Sequence, residues 1–188
     1  MDQLLLNIHP PAEKTLDNFV VGDNQECVEA LNNFINSDNN QFIYLWGESG
    51  SGKSHLSEAL SSQKITIIED VDTFNEELQI ETFYLFNQHK AVGEKMLLTG
   101  SNAPAHMGLR EDLSSRLSWG LVYQLKILTD TEKLLALEHH ANEKGMSLNL
   151  NVLAYCMKHL KRDLPSLIST LDALDEWSLK TKKPITIP

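Results

Sequence analysis

Apolar residues follow two textures along the chain. Up to about residue 128, short runs of β-branched, aromatic and aliphatic residues alternate with amphipathic stretches, and beyond Thr129 only helical periodicity remains. Phe42-Ile43-Tyr44-Leu45-Trp46 and Ile65-Thr66-Ile67-Ile68 read as strands buried in a sheet, with Met96-Leu97-Leu98-Thr99 and Val122-Tyr123-Gln124-Leu125 as a third and a fourth. Helices are predicted over Gln25–Asn36, with Val28, Leu31 and Ile35 on one face, and over Asn75–Val92, with Leu78, Phe83, Leu85 and Phe86 as its apolar positions. A short one falls around Glu111–Leu117, and another of two to three turns ends near Ser62. The last third holds Asp130–Lys144, Leu150–Leu160 and Pro165–Lys180. Thr129 and Asp130 suit an N-cap, and Gly145 suits the residue just past a helix end. Residues 1–18 carry little pattern and contain His9-Pro10-Pro11, as an extended arm would. The expected organisation is an arm over 1–18, an α/β base over 19–128 and a helical unit over 129–188.

Between the first strand and its helix stands Gly47-Glu48-Ser49-Gly50-Ser51-Gly52-Lys53-Ser54, a complete Walker A loop. A polyphosphate needs donors from several sides and a backbone that approaches closely. Gly47, Gly50 and Gly52 permit turns that aim successive N–H groups inward, and the helix start adds partial positive charge. Lys53 supplies a point charge to the outer phosphates, and the Ser54 hydroxyl is placed to ligate Mg²⁺. The strand Ile65–Ile68 ends in Glu69-Asp70, the form of a Walker B element. One carboxylate there holds the Mg²⁺ shell and the other orients water. Glu69 is the metal-side candidate and Asp70 the water-side candidate, and the two are interchangeable at this stage.

Composition narrows the partners. The 188 residues carry 26 acidic side chains against 16 Lys plus Arg, a formal net charge of −10. That balance argues against a protein whose main task is gripping the DNA backbone. Two separated cysteines, Cys27 and Cys156, form no CxxC and suit small buried residues of a reduced, cytoplasmic protein. No apolar run reaches membrane-spanning length, and with no basic region leading into an apolar core at the start a secretion signal is not expected.

Several ordered segments now carry a family resemblance. Phe42-Ile43-Tyr44-Leu45-Trp46-Gly47, Gly52-Lys53-Ser54-His55-Leu56, Leu97-Leu98-Thr99-Gly100 and Ser115-Arg116-Leu117-Ser118-Trp119-Gly120 resemble the bacterial DnaA-type AAA+ ATPases. The Leu-Thr-Gly strand end, the Arg-Leu-x-Trp-Gly element and Leu171-Asp172-Ala173-Leu174-Asp175 look most like the Hda type, regulatory inactivators of DnaA. The resemblance runs from about Gln3 to Pro188. It implies a P-loop AAA+ fold, a parallel-sheet nucleotide-binding base with a small C-terminal α-helical lid. It also implies ADP or ATP with Mg²⁺ as cofactors, and DnaA and the DNA polymerase III sliding clamp as partners. A homo-oligomer stays open, and neither sequence-specific DNA binding nor membrane attachment is expected.

Roles carry over position by position. Arg116 matches the arginine finger that reaches a nucleotide held by a neighbouring subunit; without the resemblance it would read as a surface arginine. Ser101 or Asn102, after Thr99-Gly100, matches the sensor that touches the γ-phosphate region. Val20 and Val21, in Phe19-Val20-Val21-Gly22, match the segment bordering adenine, and His55 stands in the helix of the phosphate loop. Gln3-Leu4-Leu5-Leu6-Asn7-Ile8 resembles a clamp-binding peptide, with Gln3 making polar contacts and Leu4, Leu6 and Ile8 filling an apolar cleft. An apolar arm packed on its own domain is the alternative.

Three departures from the family stand out. Pro165 falls where the lid helix usually starts with a phosphate-contacting arginine, which puts self-catalysed hydrolysis in doubt unless Arg162 substitutes. The connection Ser61-Ser62-Gln63-Lys64 is short, where the family inserts a strand and a helix. Either an edge pair is lost or a stretch is absent from the sequence. The sequence runs to Ile185-Thr186-Ile187-Pro188 where relatives carry a final helix, and a helix-turn-helix domain like that of DnaA itself is not expected. The leading expectation is a regulator that, with the DNA-loaded clamp, stimulates hydrolysis of DnaA-bound ATP. A self-acting AAA+ loader or remodeller is the competing one.

Overall fold

The computed structural model describes residues 13–146 and 150–185, and the chain divides into two compact units. The first, Glu13–Ile127, is built on four parallel strands: β1 (Phe42–Trp46), β2 (Ile65–Ile68), β3 (Lys95–Gly100) and β4 (Leu121–Gln124). Their order is β2-β3-β1-β4. In β1, Ile43 and Leu45 point to one face and Phe42 and Tyr44 to the other, as the two-residue period requires. All four are buried, because helices cover both sides.

On the first face, α1 (Gln25–Asn36) and α2 (Lys53–Leu60) bring Leu31, Phe34, Leu56 and Leu60 against Ile43, Leu45 and Leu97. On the second, α3 (Glu76–Val92) and α4 (Glu111–Leu117) bring Phe86, Leu113 and Leu117 against Phe42, Tyr44, Met96 and Leu98. Burial removes each of these side chains from water, about 1.5–3 kcal/mol apiece before chain entropy is counted. The buried stripe of α3 is Thr82, Phe86 and His89, whereas Leu78, expected among its apolar positions, is exposed. The two polar members are satisfied: Thr82 donates to the Leu78 carbonyl at 2.7 Å, and His89 meets Leu85 O at 3.0 Å and, across to β2, Thr66 Oγ1 at 2.7 Å.

Strand β2 departs from its expected burial. All four of its residues are partly exposed, because it pairs with β3 alone and forms the edge of the sheet. The short link from Leu60 leaves no segment to pair beyond it.

The second unit takes in the chain from Leu128 onward. Its helices α5 (Asp130–Glu143), α6 (Leu150–His159) and α7 (Leu164–Thr181) enclose Leu137, Ala141, Leu153, Cys156, Leu167 and Leu171. Thr129, and not Asp130, caps α5. Its hydroxyl accepts from the Glu132 N–H at 3.2 Å while Glu132 Oε2 accepts from the Thr129 N–H at 2.6 Å, a complete capping box. Gly145, at φ +68°, follows the helix, and the Met146 N–H returns to Ala141 O at 2.9 Å. Among the described residues no helix is long and apolar enough to cross a membrane.

Candidate nucleotide site

The carboxyl ends of β1, β3 and β2 lie side by side, since Trp46 pairs with Gly100 and Ile68 with Leu98. Ligands of open parallel sheets bind beyond such ends, where connections diverge. The Gly-rich loop leaves β1 there, Ser101-Asn102 leave β3, and Glu69-Asp70 leave β2.

The loop is shaped by contacts that exclude side chains. A Cβ on Gly47 would sit 2.4 Å from the Leu125 carbonyl oxygen, so only glycine fits between β1 and the chain after β4. Gly52 has φ +100°, and a Cβ there would also meet the Phe19 ring at 2.7 Å. Gly50, at φ +87°, is exposed with nothing within 4 Å of its added Cβ. Helix α2 starts at Gly52 with no side-chain cap, so the donors of its first turn are left to a ligand or water. Ser51 is buried and its Oγ has no partner. The Lys53 ammonium donates to the carbonyls of Gly47 at 2.6 Å and Glu48 at 3.2 Å, and so curls over the loop. Ser54 is exposed on the first turn of α2. An orphaned hydroxyl, an uncapped helix start and a lysine cation in one loop fit a polyphosphate.

On the metal side, Glu69 and Asp70 are both exposed. Asp70 is left-handed, with φ 52° and ψ 47°, and its N–H donates to Thr99 Oγ1 at 3.2 Å. That bond ties the end of β2 to the buried end of β3. Among the described residues no three His, Cys, Asp or Glu side chains gather as a metal cage. An Mg²⁺ ion at this site would take most of its shell from phosphate oxygens and water, as is usual for this ion.

The Ser101-Asn102 loop is held from below. The Ser101 N–H donates to Asp72 Oδ1 at 3.0 Å, and the Tyr44 hydroxyl donates to Asn102 O at 2.8 Å. Burial, and then the nearby Asp72 charge, push the Tyr44 phenol well above its ordinary value, so it remains a donor. Tyr44, Asp72 and Thr99 were not singled out as site residues from sequence. The available signal was a lone phenol inside an aliphatic strand, whose hydroxyl must find a partner when buried.

Next to the loop, Phe19 packs edge-on to His55, with ring centroids 5.3 Å apart, and His55 Nε2 lies 2.9 Å from Thr15 O. Burial lowers the His55 pKa, which favours the neutral ring. Val20 and Val21 are half-buried just beyond Phe19. Asn24 then fastens this segment: its amide donates to Lys126 O at 3.0 Å and accepts from the Lys126 N–H at 2.7 Å. Nothing local in the sequence marked that pair, which joins residues 102 positions apart.

Arg116 belongs to another neighbourhood. It stands in the last turn of α4, half-buried, with its guanidinium 5.6 Å from the centre of the Phe83 ring on α3. Its Nε is buried without a hydrogen-bond partner. Gln3, Leu4, Leu6 and Ile8 lie outside the described residues.

In the helical unit, Asp163 caps α7 by accepting from the Ser166 N–H at 2.9 Å, and Pro165 sits in the first turn. Arg162 is exposed and pairs with Asp130 at 3.4 Å. His140 and Lys144 both reach Asp172 Oδ1 at 2.7 Å, which makes His140 a packing residue of this unit.

Comparison with known proteins agrees with this geometry. The Hda lid domain family matches residues 130–188. A Haemophilus influenzae protein described only as uncharacterised is 31% identical over 220 aligned positions, which cover 99% of this chain and 95% of that protein. The alignment is longer than the 188 residues here, so that relative carries insertions. In fold, the chain is similar to domain III of the Thermotoga maritima replication initiation protein DnaA, with TM-score 0.75 and 18% identity over 95% of this chain and 94% of that one. It is also similar to AMPPCP-bound DnaA from Aquifex aeolicus, with TM-score 0.70 and 20% identity over 94% and 71% of the two chains. A four-stranded parallel base with a phosphate loop gives the chain the fold of the DnaA AAA+ proteins, and its residues 130–188 belong to the Hda lid domain family.

Proposed function

We propose that this chain, an AAA+ protein related to replication initiation by its lid and its DnaA-like fold, is a nucleotide-dependent regulator of DnaA. It binds ADP or ATP with Mg²⁺ at the loop Gly47–Ser54, docks on the DNA polymerase III sliding clamp through Gln3, Leu4, Leu6 and Ile8, and presents Arg116 to ATP held by DnaA. The AMPPCP in the Aquifex aeolicus DnaA structure supports the choice of nucleotide.

The observation that carries this reading is the state of the three arginines in the sequence. Arg110 is clamped by Asp112 at 3.0 Å and Glu76 at 3.3 Å, and Arg162 pairs with Asp130. Among the described residues Arg116 alone of the three has no carboxylate partner, and it is steadied by an aromatic face. A guanidinium held in this way is available to a partner's phosphates, where it stabilises developing charge and is worth about 10³–10⁵ in rate.

Within the chain's own site, Lys53 and the loop N–H groups would hold the phosphates, Ser54 with Glu69 or Asp70 the Mg²⁺, and Val20, Val21 and His55 the nucleoside side. The bound nucleotide supplies the charge that gathers these groups. Ser101 or Asn102, positioned by Asp72 and Tyr44, would face the outermost phosphate.

The test is hydrolysis of DnaA-bound ATP in the presence of clamp loaded on DNA. The wild type should stimulate it, and Arg116→Ala should lose at least about 100-fold of the stimulation. A mutant as active as the wild type overturns the assignment. The self-acting ATPase reading keeps some support from Lys53 with Glu69 and Asp70, and the same assay without DnaA separates the two. Turnover of the protein's own ATP that survives Arg116→Ala would favour it.

A further inference from the structure

Past the carboxyl end of β2 the chain is held in a costly conformation. Asp70 is left-handed, with φ 52° and ψ 47°, a region that residues other than glycine occupy only where their surroundings hold them. The Asp70 carbonyl accepts from the Thr73 N–H at 2.9 Å and from the Thr73 hydroxyl at 2.7 Å. Between them, Val71 is buried in the core with Phe86, Met96 and Leu98. The product of this sharp turn is the placement of Asp72. Half-buried, it lies against the end of β3, and its Oδ1 accepts from the Ser101 N–H at 3.0 Å.

That bond meets others on residues 99–102. The Asp70 N–H donates to Thr99 Oγ1 at 3.2 Å, and the Gly47 N–H of the phosphate loop donates to Gly100 O at 3.2 Å. The Tyr44 hydroxyl donates to Asn102 O at 2.8 Å. Phosphate loop, acidic turn and the loop after β3 are thereby fastened through one short segment. Of these bonds, only that to Asp72 has a carboxylate acceptor, the stronger kind. Gly100 leaves room for it: a Cβ there would collide with the Tyr44 hydroxyl and lie 3.0 Å from Asp72 Oδ1. Glu69 and Asp70 stand exposed at the mouth of the site, whereas Asp72 is turned to Ser101. With the Ser101 N–H engaged below, the loop has its exposed side chains, the Ser101 hydroxyl and the Asn102 amide, to offer a phosphate.

We infer that Asp72 is a positioning residue that lets this site tell a nucleoside triphosphate from a diphosphate. It touches neither nucleotide. By fixing the Ser101 backbone it sets where the Ser101 and Asn102 side chains stand, and these serve only the outermost phosphate of a triphosphate. A diphosphate is held by the phosphate loop and does not depend on them. The inference rests on the reading of residues 47–54 as a nucleotide site, and it is independent of Arg116, DnaA and the clamp.

The experiment is calorimetric titration of the full chain with AMPPCP, a triphosphate analogue, and with ADP, each with and without Mg²⁺. Asp72→Ala should weaken Mg²⁺-AMPPCP binding by at least about tenfold and Mg²⁺-ADP binding by less than about threefold. Asp72→Asn keeps an oxygen acceptor for the Ser101 N–H and should hold AMPPCP affinity within about threefold of the wild type. Tyr44→Phe loosens the same loop from its other side and should lower AMPPCP affinity relative to ADP by about threefold. Urea unfolding reports that each variant is folded. Equal losses for both nucleotides in Asp72→Ala would make Asp72 a structural residue only. Equal effects of Ala and Asn would make its charge decisive instead of its bond, and loss of Mg²⁺ dependence in both would make it a metal ligand. Each of these overturns the inference, as does a wild-type AMPPCP-to-ADP ratio in both Asp72→Ala and Tyr44→Phe. A wild type that binds neither nucleotide overturns the nucleotide-site reading itself, and this inference with it.

Discussion

Helix α2 starts at Gly52, left-handed and without a side-chain cap, whereas α7 starts at Asp163, whose carboxylate accepts from the Ser166 N–H at 2.9 Å. Both starts carry partial positive charge from their aligned peptides. At α7 that charge meets an anion from the chain itself, and Pro165 contributes no N–H. At α2 the first-turn donors stay open beside the orphaned Ser51 hydroxyl and the Lys53 ammonium. A helix that caps itself has little left for a ligand, and a carboxylate at its start repels phosphate. Of these two starts, only that of α2 leaves donors open to a phosphate.

The contrast can be broken most severely at Lys53. Lys53→Ala should weaken Mg²⁺-nucleotide binding by at least about 100-fold in calorimetric titration, because a charge-assisted contact to phosphate is lost while the fold is kept. Unchanged affinity would mean that the loop is structural only. Next comes Gly52→Ala, which forces a side chain to φ +100° and into the Phe19 ring. We expect a loss of roughly 1–3 kcal/mol in urea unfolding together with weaker nucleotide binding, and a stability equal to wild type would count against the strained geometry.

The smallest effects belong to α7. Asp163→Ala should destabilise the helical unit by about 1 kcal/mol, seen as faster amide exchange in α7, without lowering nucleotide affinity at the loop. Asp163→Asn keeps the cap but removes its charge. Burial alone would raise the Asp163 pKa, but hydrogen bonds from Ser166 and the nearby Lys161 outweigh it, and the net displacement is downward. A carboxyl lowered in the folded state stabilises it above the ordinary value near about 4, and that contribution is lost as pH falls through the folded value. The Asn variant should accordingly show a flatter acid limb in an unfolding titration, and an unaltered limb would assign the acid sensitivity elsewhere, with Asp172 next in line.

Much of the architecture was legible locally. Among the described residues, the four strands and seven helices fall within a few residues of their expected positions, because each carries its own periodicity. Helix α2 stops at Leu60 instead of near Ser62, and β4 begins at Leu121. The residues expected around a nucleotide from the loop, the acidic strand end and Ser101-Asn102 all emerge at one end of the sheet. Their supports were hidden. Thr99 beneath Asp70, Tyr44 beneath Asn102, and Asn24 on Lys126 are long-range pairs between residues ordinary in their local context. In α3, hydrophobicity pointed to Leu78, while the buried stripe includes Thr82, satisfied within the helix, and His89, whose Nε2 meets Thr66 only in the folded chain.

By itself, the sequence determined the elements and the phosphate loop, since helix period, strand period and Gly-x-x-x-x-Gly-Lys-Ser are properties of neighbouring residues. Strand order was decided by the tertiary structure alone. The order β2-β3-β1-β4 makes β1 a central strand and β2 an edge, and no local property of Phe42–Trp46 or Ile65–Ile68 distinguishes those fates. An apolar, β-branched run suits either place, because what differs is whether another strand is present to take its outer hydrogen bonds.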